Sequence, residues 1–188
     1  MKLTKLLERL DYKVVAGSDN IEITELVNDS RKVVPGSAFV CISGAVSDGH
    51  QYVKDVAERG AAAVIVEKDV EVPEGLTVIK VENTRYALAL MSAAYFGYPA
   101  EKLKTIGITG TKGKTTTTYM VKAILEEVGH KVGLIGTIEA IIGDKTIPSN
   151  NTTPESYTIQ KYFAQMVEAG CDCVVMEVSS QGLMLHRT

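Results

Sequence analysis

The chain has 188 residues, of which 45 % are hydrophobic and 23 % are charged, and its formal net charge is −3. This is the composition of a soluble globular protein with one large or two small domains, and the slightly acidic balance argues against nucleic-acid binding through a basic surface. No stretch approaches the roughly 18 uninterrupted apolar residues of a membrane span. The N-terminal "MKLTKLLERLDYK" carries charges among its apolar residues, which predicts a short amphipathic helix and not a signal peptide. We therefore expect a monomeric cytoplasmic protein without membrane insertion.

The first half of the chain alternates strand-like and helix-like segments. Strands are predicted for the apolar or alternating runs at residues 37–43, 61–66 and 77–81. Residues 50–60 predict a helix with Gly60 as its C-cap, and residues 84–97 predict a second helix with Thr84 as its N-cap. This alternation indicates an α/β domain.

A domain boundary is predicted near residue 99, because Pro99 cannot continue a helix and the composition becomes polar. The alternation then restarts. Strands are predicted at residues 103–108, 132–136 and 171–178, helices at 115–130 and 155–170, and a hairpin about Gly143-Asp144 at 139–149. The helix at 115–130 has two apolar stripes, Met120, Ile124 and Val128 at i, i+4, i+8, and Val121 with Leu125 beside them. The strand at 103–108 is expected to be buried, and that at 171–178 is expected to be a central parallel strand.

The fold class predicted for the chain is therefore α/β, with an N-terminal α/β domain at residues 1–98 and a parallel-sheet domain at residues 99–188. The three strands of the second half give a parallel sheet of at most three strands, and the chain stops ten residues after the last of them. We therefore expect the second domain to be the first part of a larger one, and the chain to be a fragment of a longer protein or a minimal version of it.

The cysteines are predicted to be structural. Their number is odd, which argues against a disulfide framework in the cytoplasm. Cys171 and Cys173 form a C-x-C pattern that no second pair or histidine cluster completes as a metal site, so we expect them to pack as small hydrophobic side chains in or beside a strand. Cys41 is the third.

The segment "TGTKGKTTTT" at residues 109–118 predicts a phosphate-binding loop, because it lies between a predicted strand and a predicted helix. Gly110 and Gly113 permit positive φ and close approach of the backbone to a phosphate. Lys114 supplies a charge for the β and γ phosphates, and the Thr115 hydroxyl suits Mg²⁺. The strict G-x-x-x-x-G-K-[ST] pattern fails by one residue, since Ile108 stands where it has glycine, so a glycine-rich turn with a chance G-K-T remains an alternative.

Glu177 is a second candidate, because it ends a predicted parallel strand at the sheet edge where ligands of α/β folds bind. A carboxylate there can hold a metal ion that bridges phosphates. The alternative is a solvated glutamate at the end of a strand.

The motifs "GITGTKGKTTTT", "NNTTPE" and "MEVSSQGLMLHR", in that order, resemble the Mur ligases, and "NDSRKVVPGSAFVCISGAVSDGHQYV" resembles the uridine-nucleotide-binding domain of that family. The resemblance covers essentially the whole chain and is strongest to the members that add the third residue of the peptidoglycan stem peptide. It implies an ATP- and Mg²⁺-dependent ligase whose substrates are UDP-N-acetylmuramoyl-dipeptide and an amino acid. The ligase would form an amide bond through an acyl phosphate.

The resemblance also implies roles for individual residues. Catalysis would depend on Lys114 and Glu177, with Thr115 and Glu177 at the metal. The ATP site would comprise Gly110, Thr111, Lys112, Gly113, Lys114, Thr115 and Thr116. The substrate site would comprise Asn28, Ser30, Ala45, Val46 and Ser47 at the UDP moiety and Asn151, Thr152, Thr153, Ser179 and Arg187 at the muramoyl peptide. Each has a structural alternative without the family: Asp29 and Ser30 as turn formers, residues 151–153 as a loop before a helix, and Arg187 as a surface charge.

Three positions depart from the family pattern. Lys112 stands where the familiar loop has asparagine, and Gln181 and Leu185 replace a histidine and a glutamine of the last motif. The alternatives to a muramoyl ligase of this type are another ligase of the superfamily, including folylpolyglutamate synthetase-like enzymes, and a nucleotide-binding module without catalysis. We expect residues 1–188 alone not to catalyse ligation.

Overall fold

Two α/β units make up the chain in the computed structural model, which describes residues 1–44 and 47–188. The units are Met1–Tyr95 and Phe96–Thr188. Within the described residues, no helix combines the length and the apolar composition that crossing a membrane would need.

The first unit is built on a five-stranded sheet. Its elements are α1 Leu3–Leu6, β1 Lys13–Ala16, β2 Leu26–Val27, β3 Ala38–Val40, α2 Val53–Glu58, β4 Ala63–Val66, β5 Thr77–Lys80 and α3 Thr84–Tyr95. The strand order is β1-β5-β4-β3-β2, in which β1 is antiparallel to β5 and the other pairs are parallel. The three predicted strands correspond to β3, β4 and β5, whereas β1 and β2 were not predicted. Two 3₁₀ turns, Ser30–Lys32 and Gly49–Tyr52, complete the unit.

Both helix boundaries predicted in this unit can be compared with the structure. Gly60 follows α2 with φ +88°, as a helix C-terminus requires. The prediction that Thr84 caps α3 is wrong: the Asn83 side chain accepts hydrogen bonds from the N–H groups of Arg85 and Tyr86. Thr84 is the first helical residue instead, and both its N–H and its hydroxyl donate to the Glu67 carboxylate.

The second unit also has a five-stranded sheet. Its elements are β6 Lys104–Ile108, α4 Lys114–Glu127, β7 Val132–Ile135, β8 Glu139–Ile142, β9 Lys145–Pro148, α5 Ser156–Glu168, β10 Cys173–Glu177 and α6 Ser180–Met184. The order is β6-β10-β7-β8-β9, with β6, β10 and β7 parallel and the hairpin β8-β9 antiparallel. The hairpin about Gly143-Asp144 is confirmed, and it adds two antiparallel strands to the three parallel ones. The short helix α6 was not predicted.

Strand burial in the second unit follows position in the sheet. Every residue of β10 is buried, which confirms the prediction of a central strand. The expected burial of residues 103–108 is wrong for most of the strand: Leu103 is buried, but β6 alternates exposed and half-buried residues. The reason is that β6 lies at the edge of the sheet and pairs with β10 alone in the described part of the chain.

Helix α4 packs on the sheet through one of its two predicted apolar stripes. Val121 and Leu125 contact the buried residues of β7 and β10. Met120, Ile124 and Val128 are 61 %, 64 % and 70 % exposed. Periodicity located both stripes, but only the sheet beneath the helix decides which of them is covered.

Candidate functional site

A cavity of about 620 Å³ opens in the first unit beside the 3₁₀ turn Ser30–Lys32. Three of the predicted substrate residues line it, namely Asn28, Ser30 and Ser47. Ala45 and Val46, predicted for the same role, lie outside the described residues. The cavity is in the size range of pockets for small organic ligands.

Eight further lining residues were not predicted as substrate residues, among them Tyr52, Asp55 and Arg59. Arg59 also donates from Nη1 to the carbonyl oxygen of Ser30 at 3.4 Å. Arg59 lies one residue before Gly60, the predicted C-cap. Its place at the end of a predicted helix is the sequence signal that could have identified this cation.

Asp29 and Arg31 form a bidentate ion pair at the cavity wall, with N···O distances of 2.9 and 2.8 Å. Asp29 also accepts a hydrogen bond from the backbone N–H of Arg31, which caps the 3₁₀ turn. The Arg31 guanidinium lowers the pKa of Asp29 to about 2. The pair therefore fixes the backbone around Ser30.

The segment before the second 3₁₀ turn is anchored by a polar network. Asp48 accepts from the Lys68 ammonium at 2.6 Å and from the backbone N–H of His50 at 3.0 Å. The His50 ring lies between Asp48 Oδ1, 2.6 Å from Nδ1, and the N–H of Glu67, which donates to Nε2 at 3.1 Å. Because Nε2 is an acceptor, Nδ1 carries the hydrogen and donates to Asp48. Lys68 and His50 hold the pKa of Asp48 well below its usual range.

The predicted phosphate loop has the backbone geometry that its glycines imply. Gly110 has φ +143° and Gly113 has φ +79°, and Gly113 is the N-cap of α4. Lys114 begins the helix, and its Nζ donates to the carbonyl oxygen of Gly110 at 2.7 Å across the loop. Thr111, Lys112 and Thr116 are exposed beside it. The N–H groups at the start of α4 therefore face the same space as the Lys114 ammonium.

Glu177 meets this loop. Its carboxylate is buried, at 1 % exposure, and it accepts from the Thr115 hydroxyl at 2.9 and 3.0 Å. Thr137, which directly follows Gly136 after β7, donates to the same carboxylate from its N–H at 2.8 Å. A Cβ at Gly136 would lie 2.6 Å from Glu177 Oε1, so a larger residue there would displace the carboxylate.

Thr137 was not predicted. Glu177 was selected because it ends a parallel strand, and the same criterion applies to Thr137. Both residues lie at the carboxyl ends of neighbouring parallel strands, β7 and β10. The oxygen atoms of Thr115 and Glu177 are the hard ligands that Mg²⁺ prefers. They are about one hydrogen bond apart, so a shared ion fits this donor set.

The NNTTPE segment and the last motif converge on the same carboxyl end. The buried Thr153 donates its hydroxyl to the carbonyl oxygen of Glu177 and accepts from the N–H of Ser179, both at 3.0 Å. Ser179 caps α6 by accepting from Gly182 N–H. Asn151 lines a small cavity of about 170 Å³ together with Glu155.

Arg187 ties these segments together. It donates from Nη1 to the carbonyl oxygen of Thr153 at 3.0 Å, and its Nη2 lies 2.6 Å from Glu155. Its buried Nε–H has no hydrogen-bond partner among the residues that the structure describes.

The cysteines take no part in this arrangement. Cys41, Cys171 and Cys173 are buried free thiols, as predicted. Cys173 lies near His130 and Asp172, but at the opposite end of β10 from Glu177. Burial and the nearby Asp172 carboxylate raise the pKa of the Cys173 thiol, which disfavours the thiolate that a metal would need.

Comparison with known proteins gives family matches in both units. Residues 22–96 match the model of the Mur ligase family, catalytic domain, and residues 108–188 match that of the Mur ligase middle domain. The chain is 49 % identical over 187 residues to the UDP-N-acetylmuramoyl-L-alanyl-D-glutamate--2,6-diaminopimelate ligase of Clostridium perfringens. It is 48 % identical over 188 residues to the same ligase of Bacillus licheniformis. These matches cover all of this chain. They cover only 39 % and 38 % of the two ligases.

Solved structures agree on the fold. A UDP-N-acetylmuramoyl-L-alanyl-D-glutamate--2,6-diaminopimelate ligase matches with a TM-score of 0.81 at 21 % identity, over 100 % of this chain and 37 % of that one. The MurF ligase of Thermotoga maritima, solved in complex with ADP, matches with a TM-score of 0.52 at 23 % identity, over 83 % and 32 %. The two domain matches and the 48–49 % identity to the ligases of Clostridium perfringens and Bacillus licheniformis show that the chain belongs to the Mur ligase family.

Proposed function

We propose that the protein is an ATP-dependent ligase of peptidoglycan synthesis that adds an amino acid to UDP-N-acetylmuramoyl-L-alanyl-D-glutamate. The observation that carries the proposal is the meeting of Thr115 and the buried Glu177 at the N-terminus of α4. The identity of 43–49 % to relatives named for this reaction supports it. Because the chain spans about 39 % of their length, the activity is proposed for the whole protein.

Residues 1–98 are proposed as the UDP-binding domain. Asn28, Ser30 and Ser47 line a cavity of suitable size, and the sequence resemblance adds Ala45 and Val46. Arg59 gives this cavity a cation that can face a diphosphate.

Residues 99–188 are proposed as the first part of the ATP-binding domain. The loop from Gly110 to Thr116 would bind the phosphates through backbone N–H groups, and Lys114 would place a positive charge at the γ-phosphate. Thr115 and Glu177 would hold Mg²⁺, which would neutralise phosphate charge when bound. These residues bind and orient, and none of them acts as a nucleophile.

The muramoyl-peptide side of the site is proposed at Asn151, Thr152, Thr153, Ser179 and Arg187. The guanidinium of Arg187 suits a carboxylate or phosphate group. The substrate carboxylate would accept the γ-phosphoryl group of ATP, with ADP leaving. The amine of the incoming amino acid would then attack the acyl phosphate, forming the amide and releasing phosphate and a proton.

The incoming amino acid is proposed to be 2,6-diaminopimelate, because the relatives at 49 % identity are named for it. A monomeric, cytoplasmic enzyme remains part of the proposal, since its nucleotide substrates are cytoplasmic compounds.

The test is ADP release by the full natural chain, purified and supplied with ATP, Mg²⁺ and UDP-N-acetylmuramoyl-L-alanyl-D-glutamate. We expect release that requires diaminopimelate and is much slower with lysine. Release supported equally by dihydrofolate and glutamate would favour the folate-type alternative. ATP binding without release under any of these conditions would favour a non-catalytic module. Residues 1–188 alone serve as a further comparison and are expected to be inactive.

A further inference from the structure

A row of three side chains joins the substrate loop to the buried carboxylate. The Thr137 hydroxyl oxygen lies 3.0 Å from the hydroxyl oxygen of Thr152 and 3.1 Å from Glu177 Oε2. The backbone N–H of Thr137 donates to the other carboxylate oxygen, Oε1, at 2.8 Å. Thr137 therefore holds both oxygens of Glu177.

Counting hydrogens gives this row a direction. A carboxylate only accepts hydrogen bonds, and a threonine hydroxyl has a single hydrogen to donate. The Thr137 hydroxyl is within donating distance of both Thr152 and Glu177 but has one hydrogen. Because the carboxylate can only accept, that hydrogen goes to Glu177, and Thr152 donates to Thr137. The buried carboxylate needs such donors, because burying a charge without hydrogen bonds is costly.

The backbone next to Thr137 limits how the carboxylate can turn. Glu177 Oε1 would lie 2.6 Å from a Cβ at position 136, so this oxygen packs against bare glycine backbone. The Thr115 hydroxyl lies within hydrogen-bond distance of both oxygens, whereas Thr137 supports Oε1 through its N–H and Oε2 through its hydroxyl. A cation bound to the Thr115 oxygen would alter the hydrogen bond from Thr115 to the carboxylate. The hydrogen bond from Thr137 to Oε2 would remain.

We propose that Thr137 is a positioning residue: its hydroxyl orients the Glu177 carboxylate for a divalent cation and links that carboxylate to Thr152 of the substrate loop. The inference rests on the proposed function, because it assumes that Glu177 binds the cation. It adds a residue that the family resemblance, as read from the sequence, did not supply.

The direction of the row also restricts what Thr152 can bind. Its hydrogen is committed to Thr137, so Thr152 presents lone pairs to a ligand. The group that meets it is therefore a donor, such as an amide N–H or a hydroxyl, and not a carboxylate or phosphate. Because both ends of the row share Thr137, cation and substrate binding are coupled, and the coupling is reciprocal.

The test compares Thr137→Val, Thr137→Ser and Thr146→Val in the full natural chain. Valine keeps the backbone donor and removes the hydroxyl, and serine restores the hydroxyl. Thr146 is an exposed residue of β9 and provides the matched threonine-to-valine control. Mn²⁺ binding is measured by electron paramagnetic resonance with the β,γ-imido analogue of ATP present, and thermal unfolding is followed in parallel.

We expect Thr137→Val to weaken Mn²⁺ binding about tenfold, or ~1.4 kcal/mol, while Thr137→Ser and Thr146→Val stay within about twofold. We also expect Mn²⁺ with the ATP analogue to tighten binding of UDP-N-acetylmuramoyl-L-alanyl-D-glutamate in the native protein, and to do so less in Thr137→Val. Native-like Mn²⁺ affinity in a folded Thr137→Val protein would overturn the inference alone. Native protein that binds neither Mn²⁺ nor the nucleotide would overturn the proposed function, and this inference with it.

Discussion

Gly49 is the position where a single methyl group should most directly disturb the cavity of the first unit. A Cβ there would lie 2.7 Å from the backbone nitrogen of Ile42 and 3.0 Å from Cys41 Cα. Gly49 lines the cavity, and its N–H donates to the carbonyl oxygen of Ile42 at 2.9 Å. Its φ lies outside the left-handed region, so glycine is required for space and not for conformation.

The size of the effect follows from these distances. Moving the new Cβ from 2.7 Å to an ordinary contact of about 3.4 Å requires the backbone to shift by roughly 0.7 Å. The atoms that it meets belong to the main chain after β3, which cannot rotate away as a side chain can. Overpacking of this kind costs about 1–3 kcal/mol. A shift of this size at the wall also misplaces Ser47, so we expect UDP affinity to fall about tenfold.

Isothermal titration of Gly49→Ala with UDP measures the binding loss, and urea unfolding measures the stability loss. Gly75→Ala is the matched control. Gly75 has φ +78°, and a Cβ added to it would meet no atom of residues 1–44 or 47–188 within 4 Å. Alanine there therefore costs about 1 kcal/mol of backbone strain away from the cavity. We expect that control to lose stability but to keep native UDP affinity.

Two results would refute this reasoning. Gly49→Ala with UDP affinity within twofold of native would show that the wall around Gly49 does not contact the nucleotide. Gly75→Ala with an equal loss of affinity would show that binding follows general stability and not the local clash.

Three further predictions concern single groups. Glu177→Gln keeps the side-chain shape but presents an NH₂ group to the donors of Thr115 and Thr137. Ligase activity of the full chain should therefore fall about ten- to a hundredfold. Mn²⁺ affinity and the melting temperature are measured as well, to distinguish a loss of cation binding from a loss of folding stability. Arg31 lowers the pKa of Asp29 to about 2. The pair therefore stabilises the fold fully above the unfolded pKa near 4, and it loses that contribution as pH falls towards 2. NMR titration of the carboxyl should show a midpoint near 2, and a midpoint near 4 would contradict the pairing. Burial raises the pKa of the Cys41 thiol to about 12, so iodoacetamide at pH 8 should modify it only in denaturant. If peptide mass mapping finds Cys41 alkylated in the native protein, its burial is excluded.

Local sequence signals were enough for several features of this protein. The apolar run of β10 predicted a central strand, and Gly143-Asp144 predicted the turn of the hairpin. The Lys114-Thr115 pair after a strand predicted the phosphate loop at the start of α4. Each of these signals lies within a few residues of the feature it predicts, so no long-range contact was needed to read it.

Contacts distant in the chain decided the rest. Sequence periodicity gave α4 two apolar stripes, and the sheet covers only the one that contains Val121 and Leu125. Thr137 is 40 residues from Glu177 in the chain and carries no motif, yet the parallel pairing of β7 with β10 places it on the carboxylate. The sequence by itself thus determined the family, the loop and the identity of the charged groups. Tertiary structure decided which polar groups share the buried carboxylate, because the order in which β6, β10 and β7 lie side by side in the sheet depends on contacts that are distant in the chain.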